Sequence, residues 1–406
     1  MRRYKLKEIS KIYNGSTPST SDIENYDGNI IWITPKDLSN QKCKYITQGE
    51  RNITEKGYNS CSTTMLPKGT ILLSSRAPIG LLAVAQTELC TNQGFKNIVP
   101  NNELIDNNYL YYLLSLKIKE IEALGSGTTF KEVSKTSLEN YQIDIHDLDI
   151  QHKIANALNV IDDKIILNNK INQELEQMAK TLYDYWFVQF DFPDEKGRPY
   201  KSANGKMVYN EVLKREIPVG WEIKNIFDVL DIQYGYPFNT ELFTDNNGYS
   251  VVRIRDILTN SISAYTLEKA DDKYKLREGD LIIGMDGNFH MNYWNETGAY
   301  LNQRCVRIRC KDGLPLSTIQ AKYSLEPFIK KREQNISRTT VGHLSDKDFK
   351  SQYILVPKTN SYFNPKETFE SILYKITLNN NEIKKLAMLR DFILPLLMNG
   401  QVSVQN

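Results

Sequence analysis

The sequence is short of the residues that most catalytic chemistry needs. Its four histidines, His146, His152, His290 and His343, are scattered, with no His-x-x-x-His spacing and no clustered carboxylate partner. A metal centre of its own is therefore not expected. The five cysteines, Cys43, Cys61, Cys90, Cys305 and Cys310, include no Cys-x-x-Cys pair, which argues against a disulfide framework or structural zinc and for a reducing compartment. No phosphate loop is present, Gly125–Lys131 having the wrong spacing, and no Gly-x-Gly-x-x-Gly turn follows a strand. Nor is there a Pro-Pro-Tyr/Phe with which an amino-methyltransferase grips its target base. Apolar runs never approach ~18 residues, and no apolar stretch follows the charged Met1–Lys7 segment. A membrane span and a secretory signal are not expected, and a cytoplasmic location is. Charge of either sign is also lacking in excess: 51 Lys and Arg oppose 49 Asp and Glu.

What is there is a repeat with a period of about two hundred residues. Tyr4-Lys5-Leu6-Lys7-Glu8-Ile9 is answered by Trp221-Glu222-Ile223-Lys224-Asn225-Ile226, and Ile33-Thr34-Pro35-Lys36-Asp37 by Val252-Arg253-Ile254-Arg255-Asp256. Leu66–Leu73 is answered by Leu276–Ile283, Thr91-Asn92-Gln93-Gly94 by Leu301-Asn302-Gln303-Arg304, and Gly127-Thr128-Thr129-Phe130 by Arg338-Thr339-Thr340-Val341. Lys164–Asn169 returns as Lys375–Asn380. Six matches in one order make chance an unsatisfactory account.

Each copy divides into a β-rich part and a helical part. Short apolar runs bounded by Gly, Asn, Asp and Pro predict strands in residues 1–150 and 216–360, with one helix in each, around 108–123 and 316–333. Beyond each head the period changes. Ile161, Ile165, Asn168, Asn172, Leu175, Ala179, Leu182 and Trp186 recur at spacings of four and three, as do Ile372, Ile376, Asn379, Ile383, Leu386 and Ile393. Arg390 breaks the second series. Two long helices are predicted, at 151–189 and 361–400, each roughly 50 Å long at 1.5 Å per residue. Paired antiparallel, they would bring the mid-helix Asn168 and Asn379 together as a register-setting polar contact. Residues 190–215, rich in Pro, Gly and charge, read as a connector rather than core. Pro193-Asp194-Glu195-Lys196 resembles a nuclease signature, but adjacent carboxylates need a second distant acid to converge on a metal. The fold class is thus α+β: two duplicated β-rich domains joined by two long helices in an antiparallel coiled coil with a pseudo-twofold axis.

Polar and basic residues fall at repeated positions in the heads: Lys36 and Arg255, Asn92-Gln93 and Asn302-Gln303, Thr128-Thr129 and Thr339-Thr340. Arg76, Lys131, Arg253, Arg304 and Arg338 lie in or beside the same segments, as do Asn288 and His290. Asn and Gln suit adenine, Arg suits guanine, and Thr and Lys suit phosphate. Taken one residue at a time, an ordinary turn or edge-strand residue solvated in water is the more common reading. Two heads reading different sequences should differ where they touch bases, which favours Gly94 against Arg304, and Gly127 against Arg338, for readout. The recurring Thr pairs then suit backbone anchoring, and the recurring Asn-Gln pair suits a structural turn.

The order head, long helix, connector, head, long helix resembles the specificity subunit of type I restriction–modification enzymes over essentially the whole chain. The resemblance is carried by Gly279–Asn288, Leu301-Asn302-Gln303-Arg304, the connector Phe192–Lys201 and the lead-in Glu216-Ile217-Pro218-Val219-Gly220-Trp221. The first head starts almost directly at Tyr4 and has no such lead-in. The resemblance implies two target-recognition domains, each reading one half of a bipartite, asymmetric double-stranded DNA site, with the helices as a ruler for the unread spacer. It also implies two methyltransferase subunits and restriction subunits as partners, which would carry S-adenosylmethionine, ATP and magnesium. This chain would then hold no cofactor and no catalytic residue, and would direct adenine methylation without performing it. The competing expectations are a stand-alone nuclease or methyltransferase with divergent motifs, and a coiled-coil adaptor that binds only proteins. Residues 1–150 carry 17 basic and 17 acidic residues, and 221–360 carry 19 and 18, so neither head should hold DNA strongly by charge alone.

Overall fold

The computed structural model describes every residue except 40, 42, 127–130, 335–341, 361 and 405–406. The chain forms two compact units, Met1–Leu167 with Lys384–Asn406, and Asn168–Ile383. Each contains one head and a part of both long helices.

In unit 1 the main sheet has five strands in the order Ser10–Asn14, Phe95–Pro100, Ile71–Ser75, Ile79–Ala85 and Tyr45–Ile46. All neighbours are antiparallel except the last pair. Ile71–Ser75 is buried throughout, because alternate side chains feed cores on opposite faces. Ile71 and Leu73 join Ile98, Leu113 and Leu158 on one side, while Leu72 joins Ala83, Ala85 and Phe95 on the other. A smaller sheet sets Tyr26–Ile33 between Arg51–Ile53 and Cys90–Thr91, the latter parallel to it at Trp32 and Ile33. Arg2–Lys5 pairs antiparallel with Gln142–Ile145.

Unit 2 repeats this plan. Leu230–Tyr234, Cys305–Cys310, Leu281–Gly284 and Met291–Tyr293 form the main sheet, and Leu281 and Ile283 face one core while Ile282 faces another. Tyr249–Val252 runs parallel to Tyr300–Leu301 at Val251 and Val252, and Glu222–Asn225 pairs with Tyr353–Val356. The duplication therefore holds for four strands of the main sheet, the parallel pair and the two-stranded ribbon, while Tyr45–Ile46 has no counterpart in the main sheet of unit 2 and the smaller sheet there has a fourth strand, Phe243–Thr244.

The helix expected at 108–123 is two helices, Asn107–Leu116 and Ile118–Ala123. Asp106 caps the first by accepting the Tyr109 amide at 2.8 Å, and the turn breaks at Lys117. Its counterpart runs Thr318–Gln334. The long helices span Leu148–Tyr183, followed by a π turn at Asp184–Val188, and Pro365–Met398. Pro365 occupies the first helical position, where its missing N–H costs nothing, and Gly400 at φ +69° follows the end.

Within unit 1, residues 154–158 share a cluster with Leu394, Leu397 and Met398, and Arg390 Nη1 donates to Asp162 Oδ1 at 2.8 Å. Within unit 2, Asn168 Nδ2 donates to Glu382 Oε2 at 2.8 Å, and Asn379 Nδ2 to Asn172 Oδ1 at 2.9 Å. Partners descend one helix as they ascend the other, so the pairing is antiparallel in each unit. Asn379 thus meets Asn172, one helical turn beyond the Asn168 expected, because Glu382 occupies the level opposite Asn168. The Arg390 break in the apolar series is the partner of Asp162.

The connector corrects the sequence expectation. Phe190 and Phe192 are buried in the largest cluster of unit 2 with Phe187, Ile217, Trp221 and Phe363. Phe192 stacks on Trp221 and on Phe363 with centroids 5.0 and 4.6 Å apart. The aromatic side chains outweigh the Pro and Gly signal, which correctly marks only the turn at Asp194–Arg198. There Asp194 accepts the Arg198 guanidinium and the Lys196 amide, so its carboxylate is spent on the turn.

Candidate nucleic-acid interface

The same three segments meet at one end of the central strand in both heads. In the first, the Ser75 amide donates to the Gly94 carbonyl at 2.7 Å, and the Val133 amide donates to the Ser75 carbonyl at 3.0 Å. In the second, the Met285 amide donates to the Arg304 carbonyl at 2.9 Å, and the Leu344 amide to the Met285 carbonyl at 2.8 Å. Strand end, Asn-Gln turn and the segment after 127–130 or 335–341 are thereby clamped into one frame.

The frame is built by residues that recur. Asn92 Oδ1 accepts the Gly94 amide at 2.9 Å, and Asn302 Oδ1 accepts the Arg304 amide at 3.4 Å, each making an Asx turn. Both backbones anchor to the preceding strand, Asn92 N to the Ile33 carbonyl at 3.0 Å and Asn302 N to the Val252 carbonyl at 3.1 Å. Gly15 and Gly235 lie so close to the Asn92 and Asn302 carbonyls that a Cβ at either would collide with backbone. Asp37 and Asp256 cap the loop beneath: Asp37 Oδ2 accepts the Thr34 amide at 2.7 Å, and Asp256 Oδ2 accepts the Arg253 amide at 2.9 Å. Burial raises the Asp256 pKa, against the Ser263 hydrogen bond and the Arg255 charge.

The tips built on this frame differ. In the first head Lys96 Nζ donates to Glu132 Oε1 at 3.0 Å, and Arg76 lies 4.0 Å from Glu132. In the second, Asp286 Oδ2 accepts Arg304 Nη1 at 2.7 Å, and its Oδ1 lies 2.6 Å from His343 Nδ1. Arg304 and His343 are more than half exposed, at 59% and 54%, whereas Asp286 is 21% exposed. The carboxylate therefore orients two outward-facing groups. The acid sits on the segment after residues 127–130 in one head and on the strand end in the other.

The remaining candidates scatter around these frames. Lys36 pairs with Glu50 at 2.6 Å and is exposed. Arg253 Nη2 donates to the Ser263 carbonyl at 2.8 Å, and Arg255 Nε to Ser263 Oγ at 3.0 Å. Gln93, whose amide oxygen meets the Thr17 hydroxyl, is exposed, as are Gln303, Asn288 and Lys131; His290 is half-buried. Thr128, Thr129, Arg338, Thr339 and Thr340 lie outside the described residues. Sequence reasoning missed Asp286 and His343, and missed that Asp37, Asp256, Gly15 and Gly235 carry the repeat. The recurring Asp was visible in the aligned Lys-Asp and Arg-Asp pairs. Among the described residues no group of three His, Cys, Asp or Glu is placed to hold a metal ion, and no helix is long and apolar enough to cross a membrane.

Comparison with known proteins agrees with this geometry. A type I restriction enzyme specificity subunit of Methanocaldococcus jannaschii, MjaIX, is 33% identical, covering 99% of this chain and 93% of its own. The HindI specificity subunit of Haemophilus influenzae is 23% identical over 99% of both chains. In fold, the chain is similar to the crystal structure of a type I restriction–modification S subunit from M. genitalium, with a TM-score of 0.55, 16% identity and 98% and 96% coverage. Residues 1–177 and 218–388 each match the type I restriction modification DNA specificity domain, and the chain belongs to that family.

Proposed function

We propose that this chain supplies DNA sequence recognition to a type I restriction–modification complex, with each head reading one half of a bipartite, asymmetric site. The long helices fix the unread spacer, and partner methyltransferase subunits methylate adenine at the sites so chosen. The observation that carries this reading is the shared frame with unlike tips: Arg76 and Glu132, the latter braced by the buried Lys96, in one head, and Arg304, Asp286 and His343 in the other, held by equivalent backbone bonds. A frame that recurs while its exposed polar groups change suits two readers of different sequences.

In the second head the chemistry is specific. With His343 Nδ1 engaged by Asp286, the half-exposed ring has its other nitrogen left for DNA, and Arg304, which gives Nη1 to Asp286, has further donors to offer. Donors from Arg304 suit guanine O6 and N7. Partner docking is supported by apolar side chains left exposed on the long helices: Val160, Leu167, Met388 and Phe392 in unit 1, and Ile171, Met178, Tyr374 and Leu378 in unit 2. Methyltransferase and restriction subunits are the partners of this reading, and the chemistry on DNA belongs to them.

Mapping methylated adenines in cells with and without this chain tests the proposal. The expected result is one bipartite motif that disappears with the chain. DNA cleavage or methyl transfer by the purified chain alone, or an absence of any sequence preference in DNA binding, would overturn it.

A further inference from the structure

A buried polar cluster joins both long helices in unit 1. Asp162, 7% exposed at its side chain, accepts Arg390 Nη1 on Oδ1 at 2.8 Å and the Tyr112 hydroxyl on Oδ2 at 2.5 Å. Lys44 of the first head, 2% exposed, lies 3.9 Å from the same carboxylate and donates to Tyr112 and Asn159. The repeat shows what stands at the equivalent level of unit 2. Asp162 lies six residues before Asn168, as Leu373 does before Asn379; Arg390 lies eleven after Asn379, as Ala179 does after Asn168. Ala179 and Leu373 are buried in one apolar cluster, at 1% and 7% exposure. The first helix therefore carries Asp then Ala, and the second carries Leu then Arg.

Two helices related by a repeat can pair antiparallel in two ways: the first with the second, or each with its own counterpart from another copy of the chain. The mixed pairing matches Asp162 with Arg390 and Ala179 with Leu373. Pairing first with first would set Asp162 against Ala179 twice, and its Oδ1, on a side chain only 7% exposed, would lose its donor from the partner helix. Pairing second with second would set Arg390 against Leu373 twice. Both alternatives lose the bond between helices: Asp162 would keep only Lys44 and Tyr112, on its other oxygen, and Arg390 would keep only its neighbour Asp391, each facing an apolar side chain across the seam. We infer that Asp162 and Arg390 form a self-recognition code: it directs the first long helix onto the second and bars either from pairing with the same helix of a second copy. The code acts on pairing alone, whatever the heads bind. Lys44 and Tyr112 hold the other carboxylate oxygen, so Asp162 stays oriented toward Arg390.

The test is co-refolding of two full-length copies bearing different affinity tags, with mixed dimers captured on both tags and masses measured by light scattering. Arg390→Met removes the charge from the second helix, at a side chain 29% exposed, while Asp162 keeps Lys44 and Tyr112. Asp162→Leu with Arg390→Ala and Lys44→Met makes this level of unit 1 apolar, as the Ala179–Leu373 level of unit 2 is. Both variants are expected to give at least about tenfold more mixed dimer than the parent chain, because each like-with-like dimer of the parent forgoes two charge-assisted hydrogen bonds. Asp162→Glu with Arg390→Lys keeps the code and is expected to stay monomeric. Exchange of whole segments between chains in the mixed pairing is equally open to the parent, so only the excess reports like-with-like pairing. Apolar variants that are helical by circular dichroism yet monomeric, or a parent chain that mixes as readily as they do, would overturn the inference.

Discussion

Arg304 Nη1 lies 2.7 Å from Asp286 Oδ2, at the position where the first head has Gly94 on an equivalent backbone clamp. The Arg304→Ala variant is expected to relax one base position in the second half-site, costing about 1–3 kcal/mol there, and to leave the first half-site intact. Sequencing of methylated sites checks it; a uniform loss over all sites would make Arg304 a phosphate contact instead.

Asp286→Asn keeps the shape but removes the charge that holds both Arg304 and His343. Site preference should blur at the positions read by both side chains, with overall DNA affinity changed less than in Arg304→Ala. Titrating matched and single-mismatch duplexes against the assembled complex measures the difference.

Gly15→Ala and Gly235→Ala should each destabilise by more than about 2 kcal/mol, because the added Cβ meets the Asn92 or Asn302 carbonyl rather than a side chain that can yield. Denaturant unfolding measures the loss. Each change should also impair the half-site of its own head only.

Lys44 gives a pH signature. Burial lowers its pKa from 10.5 to about 8, against the pull of Asp162, Asp163 and Asp106 and with the push of Arg390. The unfolded chain holds this proton to higher pH than the folded one, so unfolding takes up a proton between about pH 8 and pH 10.5. Stability therefore rises with pH across that window relative to Lys44→Met, and the lysine is least favourable below pH 8. Denaturation midpoints of both proteins at pH 7.5 and pH 9.5 show whether the gap moves in that direction.

Lengthening the long helices by matched insertions should change the spacer between half-sites and leave both half-site sequences unaltered. Changed half-sites with a constant spacer would rule out a ruler. Since the heads are nearly neutral, the isolated chain should also bind DNA weakly and with a shallow salt slope.

Periodicity made the duplication, the strands and both long helices legible, because each rests on local patterns of spacing. Features that depend on distant segments were not legible. Asp162 lies off the a/d series, and its partners Lys44, Tyr112 and Arg390 are remote in sequence; only the break at Arg390 hinted at them. Asp286 and His343 meet through a backbone clamp that no spacing rule describes. Phe190 and Phe192 were masked by neighbouring Pro and Gly, although their burial is what attaches the connector to the core.

Unit 1 also imposes an order of events on synthesis. Leu394, Leu397 and Met398 complete the cluster that contains Ile154 and Leu158, yet a ribosome makes the whole second head before it reaches them. The head translated first is thus the one finished last, and its apolar floor stays uncovered while some two hundred further residues emerge. A premature stop just after residue 383 would spare the second head and cripple the first.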